Sequence, residues 1–485
     1  MAFPKAARHT AYGCCLLLAA GSGVAAADPA PHQGDLPATL AAAISRDLGL
    51  DATHYLARAE QAKHLADFET VARVGYHDSF AGVRMDGDRA IVALAKGSSR
   101  ADAGKAAERA GFTVEDVTYS EAALHQRRDA VLRWISGQPA NITGTVYGDG
   151  IDVAHNDVVL HTTGAPQLPP VPPELGPVRV LSAGEPSVGP SPESTGVQPL
   201  VISAPGGEYM GGRAFAFDFH GGTARCSVAF NATDAKGNTL FLTAGHCDPA
   251  NLDPSVKGSG PQPVYDYSDG SKGEELGVIE TSSFGPHDFS IVHVRDEQAA
   301  RFRNNLVSTE TRDAPGKPAA DTPDKLAADA PGNSGSVGSN DQTALPSGSG
   351  GEPGTPEAAT PSTPLSAASE PLRIDGTASP VVGAPACKSG AISGFTCGTV
   401  LEVGRSYSQG GLPGRTDKVT MQGFFRVNTC GLHGDSGGSV MTGTKALGIV
   451  SASTSADACS PTGSITAQPI DAVIAAVPGL QIRSN

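Results

Sequence analysis

The sequence predicts an all-β unit from about residue 201 to the C-terminus, preceded by a small α+β unit. Three observations carry that expectation. Beyond residue 200, short apolar and β-branched runs are bounded by glycine turns, with little helical periodicity. Between about residues 34 and 160, patterns of helical spacing alternate with strand-like runs. Two stretches dense in proline, serine and glycine, at 161–200 and about 313–372, cut the chain at positions where neither pattern continues.

Taken in order, residues 1–27 combine Lys5 and Arg8 with Leu16-Leu17-Leu18 and Ala25-Ala26-Ala27. A basic start, a short apolar centre and small residues before Asp28 describe a cleavable secretory signal. That apolar stretch is too short for a membrane span. In the unit assigned to residues 28–160, Leu40, Ile44 and Leu48 predict one helix, and Leu56, Leu65, Phe68 and Val71 a second. Strands follow over Phe80–Met85 and Ala90–Leu94, separated by an Asp86-Gly87-Asp88 turn. A helix over Ala101–Ala110, a strand over Phe112–Tyr119 and a helix over Glu121–Ile135 complete the unit, which holds the only tryptophan, Trp134. Residues 161–200, with Pro169-Pro170-Val171-Pro172-Pro173, predict an extended linker. Val201-Ile202-Ser203 opens the 201–485 unit. The 313–372 stretch is too poor in apolar residues to order itself, and reads as an insertion that leaves and re-enters the unit at its surface.

The net charge of −15 argues against nucleic acid and anionic membranes as partners. Of eight cysteines, Cys14 and Cys15 fall in the signal segment. The other six, Cys226, Cys247, Cys387, Cys397, Cys430 and Cys459, fall in the C-terminal unit, and an even number in an exported chain argues for disulfides. Spacing alone does not choose their connectivity. No CxxC pair or histidine cluster has metal-ligand spacing, so no metal and no cofactor is expected.

The chemistry is carried by Thr243-Ala244-Gly245-His246-Cys247 and, far downstream, Gly434-Asp435-Ser436-Gly437-Gly438. A serine that attacks a carbonyl needs an imidazole to accept its proton, and the imidazole needs a buried carboxylate to fix its tautomer. Asp288 opens the β-branched run Phe289-Ser290-Ile291-Val292-His293-Val294, where a carboxylate becomes buried, whereas Asp266 and Asp269 stand in a polar loop. The candidate triad is therefore His246, Asp288 and Ser436, with Gly434 and Ser436 offering backbone N–H groups to an oxyanion. His287 and His293 read as ordinary neighbours.

These segments resemble the bacterial chymotrypsin-like serine peptidases of the streptogrisin and alpha-lytic endopeptidase type. Phe241-Leu242-Thr243-Ala244-Gly245-His246-Cys247 is similar to the family's histidine motif, and Cys387-Lys388-Ser389-Gly390 through Cys397-Gly398 to its short disulfide hairpin. The resemblance implies two packed six-stranded antiparallel barrels with the triad between them. It also implies the disulfides Cys226–Cys247, Cys387–Cys397 and Cys430–Cys459, and an ion pair of Lys388 with Asp435. Lysine at 388 departs from the family's usual arginine, keeping the charge and losing the bidentate fork. The strand Ile449–Ser453 corresponds to the wall of the substrate pocket, making Ser451, Ala452 and Ser453 substrate-binding candidates. No acidic residue stands around Thr429–Leu432, which points to small or medium apolar side chains rather than Lys or Arg. The α+β unit resembles the family's propeptide, which assists folding and blocks the site until removed; the 313–372 insertion has no counterpart in the family.

The function so predicted is a secreted, monomeric serine endopeptidase made as an inactive precursor. It would act on protein or peptide substrates and bind its own propeptide, with no membrane partner once the signal is removed. The competing reading is a catalytically silent binding protein on the same fold. An esterase using the same constellation is disfavoured because the α/β-hydrolase context of the Gly-x-Ser-x-Gly elbow is absent.

Overall fold

Apolar spacing sets the first helices. Helix α1 (Ala38–Leu48) buries Leu40, Ala43 and Ile44 and ends at Gly49, whose φ of 66° is left-handed. Helix α2 (Ala52–Gly75) is capped by Asp51, whose carboxylate accepts from His54 N at 2.8 Å. It buries Tyr55, Leu65 and several alanines. Val71, expected on the inner face, is 69% exposed. Six residues beyond Leu65, it points about 120° away around the helix.

The computed structural model describes residues 36–484 except 165–167, 183, 189–190, 193–206, 254, 257, 268–270, 313–368, 411–416 and 456–457, with backbone alone at 191–192. The signal segment, Val201–Ser203, Asp269 and most of the 313–372 stretch lie outside the described residues.

Strands β1 (Phe80–Asp86) and β2 (Arg89–Leu94) form a hairpin, and α3 (Arg100–Arg109) crosses over to β3 (Thr113–Asp116), parallel to β2. Strand β3 is shorter than the sequence suggested. Helix α4 (Glu121–Ser136) follows, capped by Ser120. Strands β4 (Val146–Asp152) and β5 (Asp157–Thr162) pair antiparallel, and β6 (Val178–Ser182) adds parallel to β5. The expected linker is thus partly a strand. Proline density favours solvated extended chain, but Val178, Val180 and Leu181 find an unpaired edge where their backbone groups are satisfied.

The C-terminal unit is mostly β, with short helices at Pro249–Leu252 and Ile470–Ala476. Strand β7 (Ser191–Pro192) lies in the 161–200 stretch, and β8 (Ala214–Phe219), β9 (Gly222–Ser227), β10 (Asn231–Thr233) and β11 (Thr239–Thr243) begin the unit itself. They are followed by β12 (Gln262–Asp266), β13 (Glu275–Phe284), β14 (Asp288–Val294) and the short pair β15 (Leu306–Val307) and β16 (Leu372–Arg373). Strands β17 (Pro385–Gly390), β18 (Gly394–Gln409), β19 (Val419–Val427), β20 (Ser439–Thr442), β21 (Lys445–Ser453), β22 (Ile465–Pro469) and β23 (Gln481–Ile482) complete it.

One nine-stranded sheet runs β23-β10-β11-β14-β13-β12-β8-β9-β7. The other runs β17-β20-β21-β22-β19-β18-β4-β5-β6, and an additional β17–β18 pairing brings its first six C-terminal strands back on themselves. The mainly antiparallel β architecture expected of this part of the chain is present, but as two nine-stranded sheets rather than six-stranded ones, because strands from the N-terminal part of the chain and the linker add to their edges.

Residues Leu36–Asn485 form one compact unit, and the N-terminal elements are built into it. Leu40, Ile44 and Tyr55 belong to the same apolar core as Phe215, Phe241 and Ile449. Asp47 accepts from Cys397 N at 2.9 Å, and Tyr55 OH accepts from Gly443 N at 2.9 Å. Where β4 and β5 join β18, His161 Nε2 lies 3.1 Å from Glu402 Oε2. Burial pushes the His161 imidazole below its ordinary pKa. Burial raises Glu402, but His161, Arg405 and Arg426 outweigh it and bring the carboxyl to about 2. The three disulfides pair as the resemblance implied: Cys226–Cys247, Cys387–Cys397 and Cys430–Cys459.

Candidate active site

His246 stands in a 3₁₀ turn, Gly245–Cys247, directly after β11. That turn is tied to β9 by the Cys226–Cys247 disulfide. Gly245 is needed there: a Cβ on it would sit 1.8 Å from the carbonyl oxygen of Ser283. Asp288 is the first residue of β14, the neighbour of β11, so the barrel wall delivers the carboxylate to the imidazole. His246 Nδ1 lies 2.8 Å from Asp288 Oδ2, and His246 N donates to Asp288 Oδ1 at 2.9 Å. Both residues are fully buried. A two-point contact of this kind fixes the ring's orientation and places the proton on Nδ1. The other nitrogen, Nε2, is buried and has no hydrogen-bond partner among the described residues.

The Asp288 carboxylate is held by more than the histidine. Ser451 Oγ donates to Oδ2 at 2.5 Å, Ser451 Oγ lies 2.9 Å from Tyr407 OH, and Asp288 N donates to Gln468 Oε1 at 3.0 Å. Ser451, a substrate-binding candidate by sequence, therefore turns its hydroxyl into this network. Tyr407 and Gln468 were not singled out in the sequence. Neither sits in a motif, and both reach Asp288 or Ser451 only through long-range strand pairing.

Ser436 lies on the loop before β20, which packs against the His246 turn. Ser227 N donates to Ser436 O at 2.8 Å. Gly437, at φ 83°, approaches so closely that a Cβ would fall 2.0 Å from Thr243 Oγ1 and 3.0 Å from Ala244 N. Gly434 adopts φ 96°, and its carbonyl accepts from Ser227 Oγ at 2.7 Å. That left-handed conformation is one glycine reaches without a Cβ penalty.

The loop is anchored from below by Asp435. Its carboxylate accepts from Ile392 N at 2.8 Å, Ser393 N at 2.9 Å and Leu432 N at 2.8 Å. Lys388 Nζ approaches it at 3.3 Å and donates to Gly394 O at 2.7 Å; both charged groups are fully buried. Burial pushes the Lys388 ammonium below its ordinary pKa, and Asp435 opposes that shift.

On the pocket side, Ser453 Oγ donates to Gly431 O at 2.6 Å, joining the wall that carries Ala452 to the facing segment. A Cβ on Gly431 would already meet Ile465 Cγ2 at 2.4 Å. His293 lies 3.4 Å from Glu280, and Asp266 is paired with Arg301 at 2.5 Å. Cys226, His246 and Cys247 offer atoms within 4.8 Å of one another, but both sulfurs are spent in a disulfide and are not thiolate ligands. Among the described residues no helix is long and apolar enough to cross a membrane.

No family model matches the chain. It is 25% identical over 479 residues to streptogrisin-C of Streptomyces griseus, across 95% of this chain and 79% of that protein. It is 27% identical over 258 residues to glutamyl endopeptidase 2 of the same organism, across 53% of this chain and 93% of that one. Among solved structures, Nocardiopsis protease aligns with 57% of this chain and 99% of its own, at 23% identity and a TM-score of 0.36. By sequence the chain is a homologue of bacterial serine peptidases of the streptogrisin kind, and these relatives support a serine endopeptidase.

Proposed function

We propose that this chain is the precursor of a secreted serine endopeptidase in which Ser436, His246 and Asp288 form the catalytic triad. Ser436 Oγ attacks the scissile carbonyl, His246 Nε2 takes its proton and returns it to the leaving amine, and Asp288 stabilises the imidazolium. The N–H groups of Gly434 and Ser436 meet the charge that develops on the carbonyl oxygen. The observation that carries this reading is the fully buried His246–Asp288 pair, with Nδ1 at 2.8 Å from the carboxylate and Nε2 without a hydrogen-bond partner among the described residues.

Residues 28–160 act as the propeptide and are removed on maturation. Docking of α1 and Tyr55 into the core shared with the barrels supports a role in assembling them. The matured enzyme works as a monomer on protein or peptide substrates.

The test is covalent. A fluorophosphonate added to the matured protein should label Ser436, and the label should vanish in His246→Ala. An intact fold that takes up no label would mean a silent binding protein instead. Substrate choice follows from the strut between Ser453 Oγ and Gly431 O, which narrows the space between the two pocket walls. A peptide-library profile should favour small or medium apolar residues before the cleaved bond; a profile led by Lys or Arg would refute this.

A further inference from the structure

Ser227, the last residue of β9, is fully buried, and each of its polar groups is engaged. Its N–H donates to Ser436 O at 2.8 Å and its hydroxyl to Gly434 O at 2.7 Å. The hydroxyl accepts from Ala391 N at 2.9 Å, in the turn between β17 and β18. Its carbonyl accepts from Thr243 Oγ1 at 2.9 Å, at the end of β11 and just ahead of the His246 turn.

The first two of these bonds fall on alternate peptide units of the nucleophile loop. The unit joining Gly434 to Asp435 is held at both ends, its carbonyl by Ser227 Oγ and its N–H by Leu432 O at 2.9 Å. The unit joining Ser436 to Gly437 is held in the same way, its carbonyl by Ser227 N and its N–H by Val450 O at 2.8 Å. Between them lies the unit that carries the Ser436 N–H. Its own carbonyl accepts from Gly438 N at 2.8 Å, a bond made within the loop, which moves with the loop. Peptide units are planar, so one placed between two fixed neighbours turns only about the dihedrals at its ends. The direction of its N–H is thereby set. Both carbonyl clamps come from one residue, and that residue belongs to the other sheet. Strand β9 lies in the sheet of β11 and β14, whereas the loop runs into β20.

We propose, on the reading of Ser436 as the nucleophile, that Ser227 is a positioning residue of the oxyanion hole. Its hydroxyl fixes the Gly434–Asp435 unit, and with it the directions of the N–H groups of Gly434 and Ser436. Such donors act only if they already point at the place where the carbonyl oxygen becomes charged. Ser227 also stands next to Cys226, whose disulfide to Cys247 reaches the residue after His246. One residue thus keeps the oxyanion donors in register with the base, and charge reaches the oxygen as the proton reaches the imidazole. A contact that matters when this charge develops acts on the transition state and leaves the bound substrate nearly unaffected.

Ser227→Ala removes the hydroxyl, keeps the N–H given to Ser436 O and adds no atom. Deleting an oxyanion donor outright costs about 10²- to 10³-fold in kcat, so loosening one is expected to cost about 10- to 100-fold. In enzyme matured from the full-length chain, kcat on a peptide amide should fall by that factor, with KM within about threefold of wild type. A peptide boronic acid forms a tetrahedral adduct on Ser436 Oγ and places an oxygen in the hole. Its affinity should fall by the same factor as kcat. The same peptide without the boronic acid group should bind wild type and variant alike. Where Ser227→Ala does not fold, Ser227→Cys gives the same reading, because a thiol occupies the place of the hydroxyl but donates weakly. A folded variant with unchanged kcat overturns the proposal. So does one that loses both peptides equally, since Ser227 would then only hold the cleft together. A matured wild-type enzyme that takes no fluorophosphonate and forms no boronate adduct defeats the reading of Ser436 as nucleophile, a result distinct from either.

Discussion

Replacing Ser436 or His246 by alanine is expected to lower kcat of the matured enzyme about 10⁶-fold. Nucleophile and base act as one unit, so the double variant should be scarcely worse than either single one. Asp288→Asn is expected to cost about 10⁴-fold, through the imidazole's tautomer rather than through loss of charge alone. Asp288 now accepts from three donors: the His246 ring nitrogen, the His246 backbone N–H and Ser451 Oγ. A carboxamide offers an NH₂ group to one of them, and relief comes when His246 moves its proton to Nε2, which then cannot accept from Ser436. Initial rates on a peptide amide, with the fold checked by circular dichroism, measure all three variants. Full kcat in Asp288→Asn would show that another group orients the histidine.

Removing the cation beneath the nucleophile loop should have the next largest effect. Lys388→Met leaves Asp435 fully buried, with N–H donors but no counter-charge. Breaking a buried pair by deleting one partner typically costs about 3–5 kcal/mol. The damage should spread to catalysis, because the same carboxylate holds Leu432 N, next to His433 and Gly434, and follows them directly with Ser436. Urea unfolding of the matured enzyme should show a lower midpoint, and kcat should fall with the triad intact. A loss below about 1 kcal/mol, the worth of an exposed pair, would mean that water reaches the site and screens the charge.

The parts of the site that could be read from sequence are those packed into contiguous motifs. His246 is flanked by the residues that make its turn, and Ser436 by the glycines that its loop requires. Asp288 was legible because it heads an apolar strand. Tyr407, Gln468 and the second role of Ser451 were not. Their contacts with one another and with Asp288 bridge 44 to 180 residues of chain, and nothing local distinguishes them from other strand residues. The helices α1 to α4 followed their spacing and caps, whereas Val71 fell outside because the buried stripe of α2 turns away from it. The 161–200 stretch misled for a physical reason. Composition reports what a segment prefers alone, and β6 exists only because β5 offers it an edge.

The small pair β15–β16 has a practical meaning. Leu306 faces Arg373 and Val307 faces Leu372, and Thr309 Oγ1 donates to Glu370 O at 2.8 Å, so the chain departs and returns through one clasp. Each doubling of the number of residues between two such paired ends costs only about 0.6 kcal/mol. Changes in the number of residues between Val307 and Leu372 are therefore expected to cost this pairing little.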